Sequence, residues 1–186
     1  VTAAREQGWP VTISAARTGI AAGAVPNGGL LLSLEKLTRV RGLRRTDDGT
    51  FLLHCEAGVL LTHVQQSLRN GSFPDSADWD AESLAALEEL MDAHLFYPPD
   101  PTEASAAIGG TIACNASGAH TFLYGPTRPY VQRLQVVLMD GRVLDLDRGA
   151  HLAEEDGTFG IENADGTIAW GKTPSYLWPR TKSSAG

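Results

Sequence analysis

An α+β fold of two lobes follows from three features of the sequence. Short apolar runs of strand length alternate with glycine and Asp-Gly turns, two stretches near the middle repeat apolar residues at helical spacing, and two apolar, glycine-rich segments carry too few large side chains to form a core. Those segments are Ala16 to Pro26 (ARTGIAAGAVP) and Ile108 to Gly118 (IGGTIACNASG), each beside a strand-like run. They read as main chain that approaches something closely. At 186 residues the chain has room for one ordinary domain, or for two small lobes sharing a ligand.

Val1 to Gly8 resembles the closing turns of a helix ending at a glycine, and Trp9 to Ile13 a buried strand entering the first glycine segment. Leu30 to Leu34 lacks polar alternation, which predicts a strand covered on both faces. Leu43 to Cys55 carries a turn at Asp48-Gly49 between extended arms. Leu60, Leu61, Val64 and Leu68 then recur at helical spacing up to Asn70-Gly71. Residues 71–82 are polar and acidic. From Ser83 to His94, the stripe Leu84, Leu87, Leu90 and Met91 predicts a helix packed on a core. Phe96 to Thr102 (FYPPDPT) contains three prolines that force an extended, stiff path, a good wall for a flat ligand. Tyr130 to Leu138 and Arg142 to Leu146 form a hairpin about Asp140-Gly141 with one wet face, and Thr158 to Glu162 with Thr167 to Trp170 a second about Asp165-Gly166. The expected division is a first lobe over 1–70, an acidic helical connection over 71–95, and a second lobe over 96–186.

A net charge of -7, with no basic block, argues against a nucleic-acid surface, which needs clustered Lys and Arg. A small anion can still be held by backbone amides. Cys55 and Cys114 have no metal spacing and are expected to be buried small hydrophobes. No run of 18 apolar residues and no signal peptide is present in the sequence, so the expected setting is cytoplasmic, or peripheral to a membrane in a longer protein. Both ends look cut, which predicts a piece of a longer chain.

The chemistry is concentrated in the two glycine segments. A dinucleotide needs its pyrophosphate met without bulky side chains in the way, and glycine both turns through positive φ and brings N–H groups to the ligand. Arg17 either meets phosphate or forms an ion pair nearby, and Thr18 offers a hydroxyl. The spacing is not that of a Rossmann or Walker loop. In the second segment small residues let an aromatic ring lie against the backbone; Asn115 and Ser117 either bond its polar edge or, for Asn115, cap a local turn. The five histidines are scattered; His120 is the one placed near a ring site. Asp145 and Asp147 read as exposed charges at a sheet edge.

Together Ala16 to Gly29 (ARTGIAAGAVPNGG), Phe96 to Thr102, Ser105 to Gly118 (SAAIGGTIACNASG) and Tyr124 to Val131 (YGPTRPYV) resemble the FAD-binding domain of the FAD-linked oxidase family, the vanillyl-alcohol oxidase or PCMH type. Within it the chain is similar to the branch of D-lactate dehydrogenase, the glycolate oxidase FAD subunit and D-2-hydroxyglutarate dehydrogenase. The resemblance implies a PCMH-type fold cut at both ends. It also implies that the first segment, Arg17, Thr18, Gly19, Ile20, Ala21, Ala22 and Gly23, wraps the FAD pyrophosphate. The proline-rich turn and second segment, through Pro99, Asp100, Thr102, Ser105, Gly109, Gly110, Asn115, Ser117 and Gly118, would flank the flavin. Cys114 stands where the family often has threonine, which removes one hydroxyl contact, and Ser117 narrows the space beside the ring. No histidine lies in the first segment, so FAD is expected to be noncovalent.

The implied parent is an oxidoreductase that passes a hydride from a 2-hydroxy acid such as D-lactate or glycolate to flavin. Its substrate cap, catalytic base and metal region lie outside these residues, and its partner is an electron-transfer subunit or acceptor. An alcohol or sugar oxidase, an ether-lipid synthase, and a non-catalytic FAD- or nucleotide-binding subunit are the alternatives.

Overall fold

A computed structural model describes residues 1–163 and 165–175. Its elements, in order, are α1 (Thr2–Glu6), β1 (Val11–Ser14), β2 (Leu30–Ser33), β3 (Val40–Arg45), β4 (Phe51–Cys55), α2 (Leu61–Asn70), a 3₁₀ turn (Pro74–Asp78) and α3 (Ala81–Ala93). There follow α4 (Ile108–Ala113), α5 (Thr121–Tyr124), a 3₁₀ turn (Arg128–Tyr130), β5 (Arg133–Val137), β6 (Val143–Asp147), β7 (Thr158–Glu162) and β8 (Ile168–Lys172). The mixed α+β class matches expectation. The strands pair two by two.

The pair β1 and β2 is parallel, with Val11 opposite Leu30 and Ser14 opposite Ser33. A parallel pair needs a long crossover, usually a helix. Here the crossover, residues 15–29, contains neither helix nor strand. Leu31 is 49% exposed, so β2 is not covered on both faces as its apolar run predicts. Ile13 on β1 is exposed as well, at 58%, so the pair is incompletely covered.

The β3–β4 hairpin is antiparallel and turns at Asp48 and Gly49, as expected. Gly49 sits at φ 86°, and Asp48 Oδ1 accepts from Thr50 N at 3.0 Å. Against this hairpin lies the main core of Val40, Leu43, Val59, Val64, Phe73, Trp79, Ala86, Leu87 and Leu90. Segment 71–95, distinguished in the sequence by its acidic character, thus packs into the same core as residues 40–64. Phe73 and Trp79 stack at 5.3 Å between ring centroids, and Trp79 Nε1 donates to Val40 O at 2.8 Å. The indole is buried with its single donor satisfied.

Helix α3 begins earlier than its apolar stripe suggests, because Asp80 caps it. The Asp80 carboxylate accepts from Ser83 N at 2.8 Å and from Arg44 Nη2 at 2.6 Å. The buried face is Ser83, Ala86, Leu87 and Leu90, while Leu84 and Met91 are exposed. The predicted stripe is therefore corrected by a partial turn: Ser83 faces inward because its Oγ accepts from Leu43 N at 3.2 Å. Helix α2 keeps its predicted inner face through Leu61 and Val64, and Gly71 closes it at φ 61°. In the β5–β6 hairpin Leu134 pairs with Leu146 and Val136 with Leu144 on the covered face. On the wet face Arg133 Nε donates to Asp145 Oδ1 at 2.7 Å. The β7–β8 hairpin forms where expected.

The Arg44 guanidinium and the Ser83 amide hold the Asp80 carboxyl down to about 2, from an ordinary 3.8. A depressed pKa contributes stability above the ordinary value that disappears as pH falls through the folded-state value. Asp80→Asn is expected to lower the melting temperature at pH 7. The gap between variant and parent should close as pH drops from about 4 toward about 2. A gap that stays constant across that window, measured by thermal melts, contradicts this assignment.

Candidate functional site

One short stretch of main chain, residues 56–62, connects the surroundings of both glycine segments. On one side Gly58 N donates to Leu37 O at 2.8 Å. A Cβ at Gly58 would lie 2.1 Å from Leu34 O and 2.7 Å from Leu37 O, so only glycine permits the end of β2 to approach so closely. On the other side Gly109 N donates to Ala57 O and Ile108 N to Val59 O, both at 2.8 Å, and Leu61 N donates to Ala106 O at 2.9 Å. A Cβ at Gly109 would lie 2.7 Å from that of Ala57. The end of β2 and the start of α4 are thus held against the same backbone.

The first segment is irregular, and its conformational strain does not fall on its glycines. Gly19 and Gly23 have ordinary φ, whereas Arg17 and Ala22 sit at φ 58° and 59°. Each of these two non-glycine residues in the left-handed region costs roughly 1–2 kcal/mol. A Cβ at Gly19 or Gly23 would meet nothing within 4 Å. The backbone N–H groups of Arg17, Thr18, Gly19, Ile20, Ala21, Gly23 and Ala24 donate to no backbone carbonyl among the described residues. Thr18 is half-buried and Ile20 wholly exposed. Of the two roles open to Arg17, the structure shows the ion pair: Nη1 meets the Glu35 carboxylate. Ser14, the last residue of β1, is buried with an Oγ that has no hydrogen-bond partner among the described residues.

In the second segment residues 108–113 are helical (α4), which the expectation of glycine-rich main chain beside a strand does not include. Runs of small residues leave the helix free to form, and docking of Ile108 and Gly109 on residues 57–59 supplies its first turn. Gly110 points into open space with ordinary helical φ. Gly118 lies against the proline-rich turn, where a Cβ would stand 1.9 Å from Asp100 O. Asn115, at φ 43° and buried, accepts at Oδ1 from Arg128 N at 2.8 Å. It acts as a local tie. Ser117 is half-buried.

The proline-rich turn is anchored by buried Pro99 and Pro101 and carries exposed Thr102. Asp100 Oδ2 pairs with His120 Nδ1 at 3.1 Å, which ties this turn to the second segment. Ser105 turns back on Glu103, donating from Oγ at 2.7 Å and from N at 3.0 Å; these bonds hold the Glu103 carboxyl below its usual range. Cys114 is exposed at the end of α4, which corrects its expected burial: the helix docks through Ile108, Gly109 and Thr111 and turns Cys114 outward. Cys55 is partly buried beside the core, and burial pushes its thiol up to about 12.

Residues the sequence does not single out complete the arrangement. Thr127 is wholly buried and donates from Oγ1 to Ala116 O at 2.9 Å, and Thr111 donates to Ile108 O at 2.8 Å. Thr127 lies within a segment that carries the resemblance, but nothing in its spacing marks a buried hydroxyl. Glu35 becomes visible only once β2 sets it beside Arg17.

A mixed α+β domain with these ties and an open glycine-lined surface has the architecture of a PCMH-type FAD-binding module. Open space at Gly19, Gly23 and Gly110, where side chains would otherwise protrude, fits a large flat cofactor with a diphosphate. The chain belongs to the FAD binding domain family, whose model matches residues 1–83 and 80–147, and FAD is the cofactor.

A D-lactate dehydrogenase of Anaerostipes hadrus is 35% identical over 164 residues, 86% of this chain and 29% of that protein. A D-2-hydroxyglutarate dehydrogenase of Xanthomonas citri pv. viticola is 34% identical over 146 residues, 77% of this chain and 26% of its own length. The glycolate oxidase subunit GlcD of Escherichia coli K12 is 27% identical over 143 residues, 76% and 24% of the two chains. The chain therefore spans under a third of the length of these relatives. The module is that of an FAD-linked oxidoreductase.

The glycines separate experimentally. Gly109→Val should cost about 1–3 kcal/mol in chemical denaturation, because Ala57 backbone cannot yield. Gly110→Ala should stabilise by about 0.5–1 kcal/mol, as should Ala22→Gly by relieving strain. Destabilisation by Gly110→Ala would show that the space beside it is not open.

Proposed function

We propose that this chain is the FAD-binding part of an oxidoreductase that oxidises a 2-hydroxy acid such as D-lactate or glycolate. The observation that supports the cofactor assignment is the first segment: among the described residues the amides of Arg17 to Ala21, Gly23 and Ala24 have no carbonyl partner, and Gly19 and Gly23 face open space at φ values that do not require glycine. Unpartnered N–H groups on adjacent residues suit a diphosphate. The substrate class rests on the relatives, named for D-lactate, D-2-hydroxyglutarate and glycolate.

In this reading Arg17 to Gly23 hold the diphosphate, and the surface around Gly110, Cys114 and Ser117 receives the flavin. Pro99, Asp100, Thr102 and Ser105 form the wall beside it. Gly109, Asn115 and Gly118 contribute by fixing the main chain that carries this surface. The two lobes, 1–70 and 96–186, share the cofactor, which is noncovalent because the first segment offers no histidine. When bound, FAD supplies the two-electron chemistry, accepting a hydride from the carbinol carbon. This chain's residues bind and orient; the cap, the base that takes the hydroxyl proton and the electron acceptor belong to other parts of the system. Two free thiols fit a reducing cytoplasmic setting.

The experiment is flavin retention. Gly19→Val and Gly110→Leu should each reduce bound FAD at least about tenfold, read from the flavin absorbance bands. The melting temperature of the apoprotein should stay close to that of the parent, since neither side chain meets the chain itself. FAD affinity equal to the parent in both variants refutes the placement. Anaerobic bleaching of the flavin by D-lactate or glycolate, but not by alcohols or sugars, tests the substrate class.

A further inference from the structure

Between Ala15 and Leu34 the one ionisable side chain is Arg17, and the first residue beyond that stretch is Glu35. The guanidinium and the Glu35 carboxylate form an ion pair across the mouth of the crossover, with side chains 59% and 53% exposed. Arg17 is held there from a backbone at φ 58°, a conformation that disfavours any side chain.

We infer that Glu35 is a competing counterion for the diphosphate site: it occupies Arg17 in the ligand-free protein and yields it to the anion, so that Glu35 sets how tightly the cofactor is held. This rests on the reading that the first segment holds the diphosphate. An exposed ion pair is a weak contact. A diphosphate cradled by main-chain amides brings two charges and several acceptor oxygens, and recruits guanidinium groups strongly. The pair is therefore easily opened. Two consequences follow from charge alone. Glu35 taxes binding, since its carboxylate must lose Arg17 and then remains near the anion. Arg17 favours binding, and the two effects are not independent, because Glu35 acts largely through Arg17.

The test is a double-mutant cycle on the deflavinated native protein, titrated with FAD and, separately, with riboflavin, which lacks the diphosphate. Glu35→Gln should tighten FAD binding about three- to tenfold and Arg17→Gln should weaken it about tenfold. Added to Arg17→Gln, Glu35→Gln should change FAD affinity less than about twofold. Riboflavin affinity should not respond to any of the three. Both side chains are exposed, and matching thermal melts confirm that the variants fold.

Glu35→Gln that leaves FAD affinity unchanged or weaker overturns the inference. So does an equal gain from Glu35→Gln with and without Arg17, which assigns the effect to direct repulsion, or an equal response with riboflavin. FAD binding that is lost in Gly19→Val yet indifferent to Glu35 defeats this inference alone. FAD binding indifferent to Gly19→Val and Gly110→Leu defeats the cofactor placement on which it rests.

Discussion

The structure depends on the backbone of Ala57, Gly58 and Val59, which is gripped from both sides. The end of β2 reaches it through Gly58, and α4 reaches it through Gly109, with carbonyl and amide partners at 2.8 Å on each side. Contacts of this kind tolerate no side chain: a Cβ at Gly58 would lie 2.1 Å from Leu34 O. Because β2 also receives the irregular crossover, both chemically interesting segments inherit their positions from this one crossing. Glu56 reinforces it from below, accepting Arg39 N at 2.9 Å and Arg41 Nε at 3.0 Å, bonds that depress its carboxyl. The hairpin β3–β4, the crossing and α4 are therefore mechanically one unit.

Three kinds of glycine result, and they explain why composition alone says so little about function. Gly49 and Gly71 supply turns at positive φ. Gly58, Gly109 and Gly118 permit close approach of one stretch of chain to another. Gly19, Gly23 and Gly110 do neither, since their φ is ordinary and their surroundings are empty. Among the described residues, neither a turn nor a close approach accounts for this third kind. In a helix, glycine costs about 0.5–1 kcal/mol relative to alanine, and at Gly110 no close approach among the described residues offsets that cost.

Much of this was legible in the sequence because it rests on local chemistry. The Asp48-Gly49 turn, the inner face of α2 and both later hairpins follow from turn residues and periodicity over a few positions. The inner face of α3 differs from its apolar stripe because Ser83, a polar residue, faces inward to meet Leu43 N, and hydrophobicity does not register such a partner. Residues 108–113 were hidden for a related reason. Their small side chains give no amphipathic pattern, and the helix is set by tertiary docking on Ala57 and Val59, which no local window contains. Trp79 shows the same limit, for an acidic neighbourhood conceals an indole that closes the core against Val40.

The distribution of charge explains how an acidic domain can hold an anionic cofactor. Its arginines on β3 are largely committed: Arg41 to Glu56, Arg44 to Asp80 and Glu82, and Arg45 to Glu89. These pairs bind the hairpin to its neighbours and contribute little net field. At the first segment the formal charges of Arg17 and Glu35 cancel as well. Under the proposed placement, a diphosphate would be met there by main-chain N–H groups without carbonyl partners among the described residues, together with Arg17 once it leaves Glu35, and the reach of such dipoles is short. In that reading selectivity would come from shape, since small residues admit a broad ligand to the amides.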